Sequence, residues 1–208
     1  MSQTIPAIFI ADALGLDFLN SVATPVDVPV DWIEDGEGLL AWLDQGHVVP
    51  RVTLDQIRER ALPQELDEVA TRARNLREWF RAFVRLHKGT TLSAAALDEL
   101  DPLNHLLERD EKYGQLTVRR DAAAASPLIL DSLRRWRTPH SLLQPLGEAL
   151  ANLVATEDFA YVKACEGPTC TLLFADHTRG HTRRWCSMEI CGNRAKQAAH
   201  RSRVRSGS

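Results

Sequence analysis

Residues 183–203 read RRWCSMEICGNRAKQAAHRSR, and the cysteine spacing in this stretch decides how the last quarter of the chain folds. Cys186 and Cys191 repeat the C-x4-C spacing of Cys165 and Cys170, with fifteen residues between the pairs, and the chain holds 4 cysteines in all. Two short loops that each present two thiolates suit one tetrahedral zinc ion, with Zn–S bonds of about 2.3 Å. Disulfides need an oxidising compartment, and no export signal is visible. The opening MSQTIPAIFIADALGLDFLN lacks a basic start and carries Asp12 and Asp17, where a leader would be apolar. Iron–sulfur clusters use tighter cysteine triplets. His177 and His181 fall inside the long loop and could stand in for a cysteine, which four available thiols make unnecessary.

A segment this short, with few large apolar side chains, cannot build a sufficient core unaided. With zinc, binding energy becomes folding energy. The expected order is a strand over 171–175, a turn at Thr178-Arg179-Gly180, a returning strand at Arg183-Arg184-Trp185 and a helix from about Gly192. Trp185 is expected to fill the finger's own core rather than to stack on a base. Wound at about 100° per residue, residues 192–205 place Ala195, Ala198 and Ala199 on one narrow face. Arg194, Gln197, Arg201 and Arg205 form a second stripe, flanked by Lys196, His200 and Arg203. Long donors on a helix surface are what a DNA major groove accepts, and Arg179, Arg183 and Arg184 could add phosphate contacts.

The formal net charge of −3 hides a division. Residues 161–208 hold nine lysines and arginines against three acidic side chains, a balance of +6. Residues 1–160 hold 16 basic and 25 acidic side chains, a balance of −9. The asymmetry suggests two modules with different partners. DNA is the expected partner of the basic one; a solvated tail, docking on the acidic region or a protein partner are the competing readings.

Further outward, the clearest element is PQELDEVATRARNLREWFRAFVRLHKG over 63–89. Leu66, Val69, Ala73, Leu76, Phe80 and Phe83 recur at steps of three and four, which predicts one long amphipathic helix. Helices are also expected over 11–23, around Leu39–Leu43, from Thr53 through Leu62, from Ser93 through Leu107 with a break at Pro102, and over 141–158. Segment 24–35 reads as a loop. Residues 114–121 and 127–137 read as a hairpin. No apolar run reaches the roughly 20 residues that span a bilayer, so no membrane partner is expected. There is no phosphate loop, nucleophile elbow or His-Glu-x-x-His, and no enzyme is expected.

C-x4-C, Leu173-Phe174, Arg184-Trp185-Cys186-Ser187-Met188 and Cys191-Gly192-Asn193-Arg194-Ala195-Lys196 together resemble the CGNR zinc finger. In that family the finger follows a helical ABATE domain. Leu16-Asp17-Phe18-Leu19-Asn20-Ser21 resembles that domain's opening Leu-Asp-Phe-x-Asn-Thr motif, with Ser21 in place of Thr, and Arg74-Asn75-Leu76-Arg77-Glu78 resembles its central helix. The resemblance implies a bacterial, stress-induced transcription regulator, with the four cysteines as ligands.

These readings define a mainly α chain of α+β class. A helical ABATE-like domain with a β-hairpin covers 1–158. A small treble-clef-like zinc finger of hairpin and helix, with a basic C-terminal helix, covers 159–208. The expected function is that of a zinc-dependent DNA-binding regulator in the cytoplasm, with Cys165, Cys170, Cys186 and Cys191 holding one structural Zn2+. The helical domain would sense a small-molecule effector, with a pocket at Asn20, Arg77 and Trp79, or mediate homodimerisation, since a single short finger needs a partner subunit to specify a long site. The alternative is a protein–protein interaction module in which the finger is a structural staple.

Overall fold

A computed structural model describes residues 5–24, 29–119 and 127–197. Its innermost element is α1 (Leu14–Leu19), a six-residue helix whose residues from Gly15 onward are all buried. So short a helix has little stability of its own, and its neighbours hold it. A Cβ on Gly15 would lie 2.7 Å from the Ala149 carbonyl oxygen and 2.9 Å from Leu153 Cβ. Only glycine lets α1 approach the last helix of the domain this closely.

A two-residue antiparallel pair follows, β1 (Val22–Ala23) with β2 (Val30–Asp31). The first helix is thus shorter than the 11–23 expected, with β1 taking its last two residues, and β2 lies inside the segment 24–35 expected to be a loop. Helix α2 (Gly36–Gln45) starts at Asp35, whose carboxylate accepts the Gly38 N–H at 2.8 Å, as a good N-cap does. It carries Leu39, Leu40, Trp42 and Leu43 into the core. Helix α3 (Arg51–Arg60) begins after Pro50.

The long helix forms as the spacing predicts: α4 runs from Pro63 to His87. Pro63 occupies the first turn, where no N–H is needed, and Glu65 accepts the Leu62 N–H at 2.9 Å. Its buried stripe includes Leu66, Val69, Ala73, Phe80 and Phe83, but also Arg77 and Arg81. Ala94–Leu100 forms a 3-10 turn that passes into α5 (Asp101–Leu107). Pro102 therefore opens the second helix instead of breaking one continuous helix.

The expected hairpin is present, with β3 (Lys112–Val118) paired antiparallel to β4 (Leu128–Arg134) and Leu116 opposite Leu130. Helix α6 (Leu143–Thr156) then packs Leu146, Leu150 and Leu153 inward. The chain closes with β5 (Val162–Ala164), β6 (Leu173–Ala175) and a π-turn at Met188–Gly192, which leads into helical residues 193–197.

The finger differs from expectation in its pairing. Strand β6 pairs with β5, Val162 opposite Ala175 and Ala164 opposite Leu173; residues 183–185 form no strand. The reason is Asp176, which is fully buried. Its carboxylate accepts from the Thr178 amide and hydroxyl, the Arg183 amide and Lys163 Nζ at 2.6–3.1 Å. These bonds curl residues 176–183 into a loop and carry the chain away from β6. Among the described residues the finger shares its core with the helical region: Cys165, Phe174, Cys186 and Cys191 belong to the same buried cluster as Phe18, Val69 and Leu150. Among the described residues, no helix is long and apolar enough to cross a membrane.

Candidate metal centre

The four cysteine sulfurs converge, all lying within 4.8 Å of one another. A tetrahedral ion with bonds of about 2.3 Å needs sulfurs about 3.8 Å apart, and Cys170 Sγ lies 3.9 Å from Cys186 Sγ. The donor set therefore fits one zinc ion. Backbone amides support it as well: Cys165 Sγ accepts from Gly167 N–H at 3.4 Å and from Cys186 N–H at 3.3 Å. A Cβ at Gly167 would stand 3.0 Å from Cys170 Cβ and 3.1 Å from Cys191 Sγ, so the first knuckle closes over the sulfurs only because that residue is glycine.

The thiols perturb one another strongly. A hydrogen bond from Cys186 holds Cys170 down to about 5. Donating that bond, together with burial, pushes Cys186 up, and burial pushes Cys191 up to about 12. So many sulfurs in one buried site cannot all ionise without a compensating cation. A divalent ion supplies that charge and allows four thiolates.

The finger is joined to the helical region by buried polar bonds. Asn20, at the end of α1, donates from Nδ2 to the Leu173 carbonyl at 2.8 Å and accepts the Leu173 N–H at 2.9 Å. Asp17 accepts the Ile10 and Ala11 N–H groups, each at 2.9 Å, and Ala11 O in turn accepts the Ala175 N–H at 2.9 Å. The stretch Leu16-Asp17-Phe18-Leu19-Asn20-Ser21 is thus a joint: its apolar positions enter the core and its polar ones grip the backbone on both sides. Burial raises the Asp17 carboxyl to about 6 despite those two amides.

Arg183 is the second tie. Its Nε donates to Trp185 O at 3.0 Å, one terminal nitrogen reaches Asp12 and Ala175 O, and the other reaches Ile10 O and Cys186 O. All five guanidinium donors are thereby engaged, and the group sits 4.3 Å over the Phe174 ring. Arg183 is a framework residue between the N-terminal segment and the zinc knuckle, which leaves no donor for a phosphate.

The other expected DNA contacts divide. Arg184 is exposed, pairs with Glu166 at 2.6 Å and lies over the Trp185 ring; Trp185 itself packs half-buried against the core. Arg179 is exposed in the 178–182 loop, and Arg194, Lys196 and Gln197 are exposed on helical residues 193–197. His200, Arg201, Arg203 and Arg205 lie outside the described residues. A shallow cleft lined by Thr178, Thr182, Arg184, Trp185 and Met188 connects the loop to the start of the helical turn.

The residues expected to form a ligand pocket meet protein partners. Asn20 is held by Leu173. Arg77, 3% exposed, forms a two-pronged pair with Asp31 at 2.7 and 2.8 Å and also bonds Ser21 Oγ and Glu78. Trp79 packs edge-on against Phe80. Sequence reasoning missed Asp176 and Lys163, whose signal, an Asp-x-Thr turn beside a zinc knuckle, is visible only once the pairing is known.

Comparison with known proteins agrees with this geometry. Residues 161–204 match the family model of the CGNR zinc finger. Residues 12–157 match the ABATE model, described as "Putative stress-induced transcription regulator". No curated protein matches the chain. With most of its length covered by that model and its four sulfurs set for a single metal ion, the chain belongs to the ABATE family and ends in a CGNR zinc finger.

Proposed function

We propose that this protein is a zinc-dependent DNA-binding regulator whose finger presents its basic helix to the duplex, while the helical region senses a ligand or mediates dimerisation. The observation that carries the reading is the continuity between metal site and basic surface. Cys191 is a ligand candidate inside the π-turn Met188–Gly192, and the helical residues that follow expose Arg194, Lys196 and Gln197 within six residues of it. A zinc ion holding Cys191 would fix the direction in which those donors point. Arg179 and Arg184 extend the positive surface along the neighbouring loop.

The test is binding of the zinc-loaded full chain to duplex DNA at several salt concentrations. Each phosphate neutralised contributes about −0.9 to the slope of log K against log salt. Arg194→Ala and Lys196→Ala should each flatten that slope by about one unit. No binding at low salt refutes the proposal.

A second reading, the finger as a staple for a protein-interaction module, is favoured by one specific observation. Asn20 and Arg183 bond the finger to the helical region through buried or half-buried groups, and the exposed Asp12 pairs with Arg183 beside them. That reading predicts retained zinc, no DNA affinity, and a protein contact weakened by Arg194→Ala.

A further inference from the structure

A cavity of about 310 Å³ lies between α3, the start of α4 and the segment that joins β4 to α6, within the range of about 300–1,000 Å³ that small-molecule sites occupy. Thr53, Gln56, Ile57 and Arg60 line it from one face of α3, because residues three and four apart stack on the same side of a helix. Thr53 and Ile57 are buried, whereas Gln56 and Arg60 are exposed. Trp136 and His140 line it from the connecting segment. The indole is a fixed wall. Arg134 lies over its ring, 5.5 Å from the centre, and is itself held by Asp110 at 2.6 and 2.7 Å and by Glu148 at 2.8 Å.

Two polar groups in this cavity lack protein partners. Arg60 makes no hydrogen bond or ion pair with any described residue. His140 Nε2 is buried with no hydrogen-bond partner among the described residues; Glu68 stands 3.7 Å away and already accepts from Arg72 at 2.6 Å. Buried polar atoms are almost always paired, so this one calls for a partner. The remaining charges of the lining are engaged: Arg137 pairs with Glu111 at 2.7 Å, and Glu65 accepts the Leu62 N–H at 2.9 Å. What the cavity offers a ligand is therefore an unpaired guanidinium, a buried imidazole nitrogen and a flat apolar wall.

We infer that this cavity binds a small aromatic carboxylate, whose acid group is held by Arg60 and whose ring lies against Trp136 and Ile57. An arginine fork matches a carboxylate with two parallel charge-assisted hydrogen bonds. An indole beside an aliphatic side chain gives a flat ring its apolar contact, and His140 Nε2 serves a polar substituent on that ring. The inference rests on the ligand-sensing part of the proposed function and deepens it. Its test is made without DNA, so a failure here and a failure to bind DNA are separate results.

The experiment titrates the zinc-loaded full chain with benzoate, 4-hydroxybenzoate and indole-3-carboxylate, followed by calorimetry and by the indole N–H signals of the 5 tryptophans in NMR spectra. The Trp136 signal is identified by its loss in Trp136→Leu. At least one acid should bind with a Kd of about 1 mM or tighter and shift that signal. Arg60→Ala removes the charged partner and should weaken binding about tenfold or more, as should replacing the acid by its neutral amide. Arg58→Ala, outside the cavity and paired with Glu37 at 2.9 Å, should leave binding unchanged. Thermal unfolding verifies that the variants are folded, as expected for two exposed arginines. No binding of any of the three acids up to about 10 mM overturns the inference. So does binding that leaves the Trp136 signal in place, that is indifferent to Arg60→Ala, or that is as tight for the amide as for the acid.

Discussion

Replacing Asn20 by alanine tests the claim that the finger and the helical region form one folding unit. The Asn20 amide is 1% exposed and bonds both the N–H and the carbonyl of Leu173, itself buried. Truncation leaves both backbone groups inside the protein without partners, at about 1–3 kcal/mol each. A central expectation is about 4 kcal/mol. For a chain of this length, each kcal/mol lowers Tm by about 2–4 °C, so calorimetry of the zinc-loaded protein should show a fall of about 12 °C. Strand β6 lies between the two cysteine pairs in sequence, and loosening it should also speed zinc transfer to a coloured chelator. Asn20→Asp adds a signed control. Its carboxylate still accepts the Leu173 N–H but faces the Leu173 carbonyl, so the deficit should shrink as pH falls and the protonated group donates. A Tm within about 2 °C of the parent, below 1 kcal/mol by the same scaling, together with unchanged zinc transfer, would refute the reasoning.

Arg183→Lys, which exchanges a five-donor fork for a compact ammonium, should cost about 2–4 kcal/mol in urea unfolding yet leave the salt slope of DNA binding unaltered; a changed slope with normal stability would place Arg183 on a phosphate. Asp17 has its carboxyl raised to about 6 from 3.8, so the folded state holds the proton more tightly than the unfolded one. That contribution, about 3 kcal/mol by linkage, is complete below pH 3.8 and is lost as pH rises through 6; Asp17→Asn should remove this component from stability-versus-pH curves, and an unchanged curve would count against it. Metal analysis should find one zinc per chain. Cys186→Ser should abolish tight binding and lower the unfolding temperature of the whole molecule, because Cys186 is fully buried in the common core; a helical region that melts at its original temperature would show the two parts to be independent.

Much of the architecture was legible because its signals are local. The three-and-four repeat from Leu66 to Phe83 specifies α4 without reference to any neighbour, and Pro63 sets its start. The same holds for the β3–β4 ribbon, although not for its exposed side: alternation shows that two faces exist, not which one is covered. At Pro102 the spacing indicated a break but not its form, since a proline suits a first turn as readily as it ends a helix.

By itself the sequence determined the metal site's ligands and count, since four thiols at paired spacing admit few other uses. Only the tertiary structure decided how the finger is held. The pairing of β6 with β5 depends on a buried carboxylate at Asp176, and the use of Arg183 depends on carbonyls from residue 10 to residue 186. An arginine in a basic run looks the same in sequence whether it faces solvent or a ring of backbone oxygens. Its role is set by which acceptors the fold brings within about 3 Å, and those acceptors come from parts of the chain that share no local pattern.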